Sequence, residues 1–477
     1  MRPVSALTLT LLLTPFLWTA GCGGGSGDPG MNLSAADAGT QKFAVSIQGD
    51  DVGYMQLDID ELGEDSLLIN QSISWNMILM GNRRDIEMYM TAVTDTTFDL
   101  GRMEMTMSDG SAEITVTAVR RDSLLLSTIG TAGRVIENST VIEGEYLPVL
   151  ADLACASMSW TEGQERTFQS FDPASGVILE ATAVCQGFEE VDLLGDTVTA
   201  ARLEISQMGT RNLVWVHDGQ IVREYEQGLG MDMTRVPPEQ GGEVVATRDL
   251  YEVFAVASTP VDDPRAPRPR TFILEGDIDW SQFQLNIPPV QSASGCTVSV
   301  AAGPPVNVVG FPPSPLPDTL AGFIAPEPMI QSDDSLIAAT AHATVSGSSD
   351  SWEAARRICA YVDSAVQNSP TVSLPSAVDV MENLRGDCNE HTILFVALAR
   401  AVGLPARICA GIVYLDGSFG YHAWPMVWVG DWVEMDPTFG QYVADGTHII
   451  LATGDLQSQY VVNSVIGRLS VTELTDR

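Results

Sequence analysis

The sequence predicts an α+β protein, an N-terminal antiparallel β domain with an open or half-barrel-like sheet followed by an α+β domain. Three observations carry this. Alternating apolar residues flank turn signals at Asp109-Gly110 and Asp218-Gly219, the pattern of antiparallel hairpins. Fourteen of the 26 prolines fall between Pro260 and Pro328, which divides the chain. Beyond Pro328 the apolar period lengthens to that of helices, with an acidic cap ahead of each.

The chain has 477 residues, 45% hydrophobic and 18% charged, enough apolar material for packed cores. Asp and Glu number 62 against 24 Lys and Arg, a net charge of −38, and Lys42 is the only lysine. Such a chain repels polyanions, which excludes nucleic acid as a partner. Residues 1–21 read as a secretory signal: Arg2, an apolar run from Val4 to Trp18, then Thr19-Ala20-Gly21-Cys22. The run is too short to span a bilayer. The small residues ending in Cys22 resemble the lipobox of bacterial lipoproteins, although Thr19 stands where that motif prefers leucine. The resemblance implies lipidation at Cys22 and a membrane partner through the lipid anchor. The expected place is the bacterial cell envelope, periplasm-facing or at the surface. Residues 22–42 form a glycine-rich tether.

Residues 43–256 carry the strands. A two-residue loop at Asp109-Gly110 would pair Met105 with Ile114 and Met103 with Val116, placing both apolar sets on one face. Leu213 to His217 and Gln220 to Tyr225 repeat the logic about Asp218-Gly219. The methionine stripe reads as core. Export permits disulfides, and Cys155 and Cys185 could pair within this region. Residues 257–328 read as a proline-rich linker with a small β unit, Thr271 to Leu274 and Cys296 to Val300.

Residues 329–477 form the α+β domain. Asp333 or Asp334 can cap a helix over Leu336 to Val345, and Ser349 or Asp350 another through Val366. A third helix, from about Asn389 to Val402, is apolar nearly all round and is therefore buried, with Gly403 and Pro405 ending it. Strands follow at Arg407 to Tyr414, His422 to Val429 and Trp432 to Met435.

The chemistry lies here. Cys388 sits in the first turn of the buried helix, where unpaired N–H groups and the helix dipole favour a thiolate. His422 follows on one strand and Asp436 at the end of the next. A cysteine nucleophile, a histidine base and an aspartate to orient the imidazole are the parts of a papain-like site. Pairing parity sets a condition. A two-residue turn near Gly430-Asp431 would put His422 and Asp436 on opposite faces, so the triad needs an odd loop or a bulge near Pro425. No cysteine or histidine spacing suits a metal, and no cofactor is expected.

Gly386-Asp387-Cys388, the run Leu394 to Arg407, His422-Ala423-Trp424, Trp432 and Asp436-Pro437-Thr438 together resemble the transglutaminase-like superfamily, in that family's order. The resemblance spans roughly Gly322 to Gln441. It implies a papain-like/transglutaminase-like fold, with Cys388 as nucleophile, His422 as base and Asp436 as the third member. Pro425 departs from the family pattern and suggests an edge or bulge. The expected function is an envelope-anchored cysteine enzyme attacking amide or peptide bonds through a thioester acyl-enzyme, its partner a protein or peptide substrate. It would be a hydrolase or would pass the acyl group to an amine. The alternative is a catalytically inactive binding or scaffolding lipoprotein whose β domain is the functional part. Around the triad, His391 reads as helix packing, Arg407 as a structural ion pair, and Trp424 and Trp428 as sheet packing. Cys359 and Cys409 read as core, and His342 and His448 carry no motif.

Overall fold

The structure, a computed structural model, describes residues 38–474 apart from 80–81, 111–112, 132–133, 173–176, 208–209, 243, 328, 370–375 and 455–459. The expected signal segment, the lipidation site Cys22 and the glycine tether up to residue 37 lie outside the described residues. The chain forms two compact units that meet in sequence at Val253 and Phe254. Among the described residues, no helix is long and apolar enough to cross a membrane.

In the N-terminal unit the described residues form one antiparallel sheet of fourteen strands. Gly39–Ile47 lies at its middle, paired with Asp50–Glu61 on one side and Met231–Val236 on the other. From there the chain meanders out to the edge strand Arg134–Val141. It crosses through the helix Ala151–Ser157 to the opposite edge, Glu165–Asp172, and meanders back. Period-two alternation buries one face: Met103, Met105, Met107, Ile114, Val116 and Ala118 are all buried.

The first hairpin corrects the expected register. Met105 faces Val116 and Met103 faces Ala118, so the connection runs from Ser108 to Glu113 and not through two residues. The shift is by two, which leaves every side chain on its expected face; alternation alone cannot tell the two registers apart. Asp109 is drawn into the fold, 3.7 Å from Arg84, in place of serving as a tight-turn residue. The second hairpin closes as expected through Asp218 (φ 45°) and Gly219 (φ 75°), both left-handed, as a type I′ turn requires. Cys155 and Cys185 are buried thiols, and no disulfide forms among the described cysteines.

In the C-terminal unit the proline-rich stretch is not a spacer. Arg270–Glu275, Gln291–Ser294 and Thr297–Val300 join Ala257–Ser258 and Ser470–Glu473 in a five-stranded sheet. The segment is held by charge as well: Arg270 pairs with Glu473, and Arg265 lies 2.6 Å from Asp445. Arginines among prolines read as a solvated linker only while their carboxylate partners, about 200 residues away in sequence, are unknown.

Helices follow at Ser335–Thr344, Ser351–Ala365, Ala377–Asn383 and Cys388–Ala401, capped by the side chains of Asp334, Asp350, Ser376 and Asp387. The last of these, here called the cysteine helix, buries thirteen of its fourteen residues. The other three helices pack on one side of it and a four-stranded sheet on the other. That sheet runs Trp432–Glu434, Ser418–Trp428, Ala406–Leu415, Ile449–Gly454. At the C-terminal end of the cysteine helix, Gly403 adopts φ 79°. Its N–H bonds Arg400 O, and Leu404 N–H bonds Ala399 O at 2.9 Å, a Schellman closure that turns the chain into the first strand.

Candidate active site

Cys388 is the first residue of the cysteine helix and is fully buried. The Asp387 side chain accepts the Asn389 N–H at 3.0 Å, and Glu390 reaches back to accept the Asp387 N–H at 2.7 Å, a complete capping box. The box fixes the first turn, and with it the cysteine. Gly386 makes it possible: at φ 155° it lies under the Glu390 side chain, and a Cβ there would come within 2.2 Å of Glu390 Cβ.

His422 lies on the strand Ser418–Trp428, against which the cysteine helix packs. The loop to the next strand is Val429, Gly430 and Asp431, since Trp428 pairs with Trp432. Three residues give the odd parity that the triad needs, and His422 Nε2 lies 2.8 Å from Asp436 Oδ2. Pro425 causes no bulge; the pairing with Ala406–Leu415 runs through it unshifted. Its carbonyl accepts the Met435 N–H directly after the short strand Trp432–Glu434, so its missing N–H costs a bond only at the end of that pairing.

Asp436 sits in a tight loop closed by mutual backbone bonds with Gln441. Its Oδ1 accepts the N–H groups of Thr438 (2.8 Å) and Phe439 (3.1 Å). Its Oδ2 accepts from His422 and also from His448 Nε2, at 3.0 Å. A carboxylate offers about four lone-pair sites, and four N–H donors fill them. Burial alone would push this carboxyl up, but the two histidines beside it override burial and hold it below the usual carboxylate range. Asp436 is therefore ionised.

The His422 ring is sandwiched between Trp424 (centroids 5.7 Å apart) and Phe439 (4.9 Å), both within 25° of parallel. Burial pulls its pKa down; Asp436 opposes this, while His448 and Arg265 add to it. The ring rests neutral. Because Nε2 carries the proton donated to Asp436, Nδ1 is the lone-pair nitrogen, and no described residue hydrogen bonds to it. A buried imidazole held in this tautomer can take up a proton at Nδ1.

The remaining sequence-level readings fare unevenly. His391 is a packing histidine, its Nδ1–H donating to the Asp387 carbonyl at 2.6 Å. Trp424 packs the sheet and donates to Glu434 at 2.8 Å. Cys359 and Cys409 are buried, and burial pushes both thiols well up. Arg407 departs from expectation. No ion pair holds it among the described residues; its guanidinium lies over the rings of Trp432 (4.7 Å) and Phe323 (5.4 Å). His448 carries no motif in the sequence, yet its Nε2 lies 3.0 Å from Asp436 Oδ2. The signal was faint: Asp445 three residues ahead of it, and an apolar run, Ile449 to Ala452, starting directly after.

His422, Asp436 and His448 each place one ligand atom within 4.8 Å of the others, a spacing that a small cation could bridge. The donor chemistry points elsewhere. Both Nε2 atoms direct an N–H at Asp436, and a ligating imidazole must present a lone pair. The trio is a hydrogen-bond network.

The profile of the Transglutaminase-like superfamily matches residues 338–437, about a fifth of the chain, and takes in Cys388, His422 and Asp436. The C-terminal unit thus carries a transglutaminase-like domain. No curated protein matches the chain. Among solved structures, that of "a Putative Cysteine Protease from Cytophaga hutchinsonii" aligns with 46% of this chain and 84% of its own. Its identity is 18% and its TM-score 0.29, a similarity too low to bear on function.

Proposed function

We propose that the C-terminal unit is a cysteine enzyme that opens amide or peptide bonds through Cys388, His422 and Asp436. One observation carries the reading: His422 is held by Asp436 as the Nε2–H tautomer, with Nδ1 left as a buried lone pair, in a domain whose buried helix begins at Cys388. The sequence suggested a thiolate ready at rest. A buried, neutral His422 supports instead a base that takes the thiol proton as attack occurs.

In this mechanism the Cys388 proton passes to His422 Nδ1 as sulfur bonds to the carbonyl carbon. The carbonyl oxygen gains the negative charge, and the Cys388 N–H at the helix start would donate to it. Collapse breaks the C–N bond, and the leaving amine takes the proton from Nδ1. Water then gives Nδ1 a proton and adds to the thioester; collapse breaks the C–S bond and frees the acid, and the departing sulfur takes the proton back from Nδ1. An amine in place of water gives transfer. Asp436 holds the ring through both protonation states. Anchored through Cys22 at the envelope, the enzyme would meet protein or peptide substrates there.

The test is an electrophilic amide-mimic probe followed by identification of the labelled cysteine. Cys388 should label at least tenfold faster than Cys359 and Cys409, which are also buried but have no base beside them in this mechanism. Equal labelling of all three would sink the enzyme reading and leave the β unit as the functional part.

A further inference from the structure

We infer that His448 is a fourth member of the site: a positioning residue, protonated on both ring nitrogens, that holds Asp436 and keeps His422 neutral at rest. The inference rests on the proposed triad and deepens it. Among the described residues, only acceptors meet the two nitrogens of the His448 ring, whose faces and edges pack on Trp424, His422 and Phe439. Nε2 faces Asp436 Oδ2 at 3.0 Å, while Nδ1 faces the Asp445 carbonyl at 3.1 Å and Asp445 Oδ1 at 3.3 Å. A neutral imidazole would turn a lone pair toward one of these oxygens; with both nitrogens carrying hydrogen the ring satisfies all of them. Its environment agrees: burial pulls its pKa down, but Asp445 and Asp436 outweigh burial and bring it up to about 10.

The charges behind it form a chain. Asp445 is fixed by Arg265 at 2.6 Å, by the Gln441 amide at 2.9 Å and by the Thr447 N–H at 2.9 Å. Arg265 in turn lies over the Phe439 ring, 4.6 Å from its centroid, the same ring that stacks on His422. Two carboxylates and two cations thus cancel. Glu434, the other carboxyl whose charge senses His448, is pushed by burial up to about 7. While Glu434 keeps its proton the background is neutral, and a proton on His422 is a new buried charge. Removing the His448 charge would leave Asp436 uncompensated and draw that proton on. The ring centroids of the two histidines are 5.8 Å apart. At an effective dielectric of about 20 to 40, this predicts an upward shift of about 1 to 2 pH units for His422.

His448→Gln separates charge from contact, because the Gln amide can still donate to Asp436. The experiment follows Cys388 alkylation by iodoacetamide across pH in the full chain. In His448→Gln the pH midpoint belonging to His422 should rise by about 1 unit or more; a purely structural His448 would leave it unmoved. Asp445→Asn keeps the charged ring but removes a carboxylate, leaving one cation in excess, so it should move the midpoint the opposite way, downward, and it serves if His448→Gln does not fold. Imidazole nitrogen NMR of the wild type at pH 8 reads the protonation directly: two N–H signals from His448 are expected. A neutral ring, or an unshifted midpoint in a folded variant, overturns the inference. If Cys388 in the wild type reacts no faster than Cys359, the triad reading fails instead, while the NMR signal still reports on His448.

Discussion

Gly386→Ala is the sharpest test of the idea that the cap of the cysteine helix sets the site. The added Cβ would lie 2.2 Å from Glu390 Cβ and 2.3 Å from its Cγ, where ordinary contacts begin near 3.4 Å. No rotamer of Glu390 relieves a clash with its own Cβ. The backbone must separate the Arg385–Gly386 segment from the first helical turn, and Cys388 moves with that turn. Overpacking of a filled site costs about 1–3 kcal/mol. Loss of the bond from the Asp387 N–H to the buried Glu390 carboxylate adds about 1.5–3 kcal/mol if it breaks entirely. With partial relaxation, about 2–4 kcal/mol is expected for the C-terminal unit. The assay is urea-dependent exposure of Cys359 and Cys409 to a thiol reagent, which reports on that unit alone. Probe labelling of Cys388 at low urea should fall at least tenfold while the fold persists. A variant within 0.5 kcal/mol of wild type, labelled at the wild-type rate, would show that the capping box does not position the nucleophile.

Three further outcomes are expected. Cys388→Ala should abolish amide cleavage and His422→Ala should lower it by about 10²–10⁴; Asp436→Asn should be milder than either, since it orients and stabilises the ring without taking its proton. Steady-state rates on a peptide amide check the order. Glu434, held up to about 7 by burial, keeps its proton to higher pH when folded than when unfolded. Its contribution to stability is therefore complete below about 4.5 and is lost as pH rises through 7. Glu434→Gln retains an acceptor for the Trp424 N–H, so by urea titration it should gain on the wild type by up to about 3 kcal/mol above pH 7 and by nothing at pH 4. Expressed in a bacterium, the protein should carry lipid on Cys22 and partition into detergent, and Cys22→Ala should not. A mature N-terminus beyond Cys22 by mass spectrometry would refute the anchor.

What the sequence could reveal divides along a physical line: local periodicity and covalent parity are written in it, while charge partners brought together by folding are not. Asp334, Asp350 and Asp387 cap because a short acceptor ahead of an apolar helical run has few other uses. Counting leaves two ways for His422 to meet Asp436, an odd loop or a bulge near Pro425, because side-chain direction alternates strictly; the fold uses the three-residue loop Val429 to Asp431. The same alternation is blind to a shift of two, which is why the strands about Asp109 are assigned the right faces but the wrong partners. Pro425 shows a different limit. Its cost depends on which neighbouring strand faces its missing N–H, and that strand stops at Glu434.

The largest gap concerns Arg265 and His448. In sequence they are a linker arginine and a histidine without a motif, 183 residues apart. The fold lays both against Asp445, and through it against Asp436, in a core where an unpaired charge would be far more costly than at the surface. Each ion in the row is tolerable only because the next one is there. Such a network cannot be read one residue at a time, since removing any member changes what the others cost. It also explains why the proline-rich stretch belongs to the C-terminal unit: cutting it away would remove Arg265 and leave Asp445 buried 3.3 Å from His448 without its outer cation.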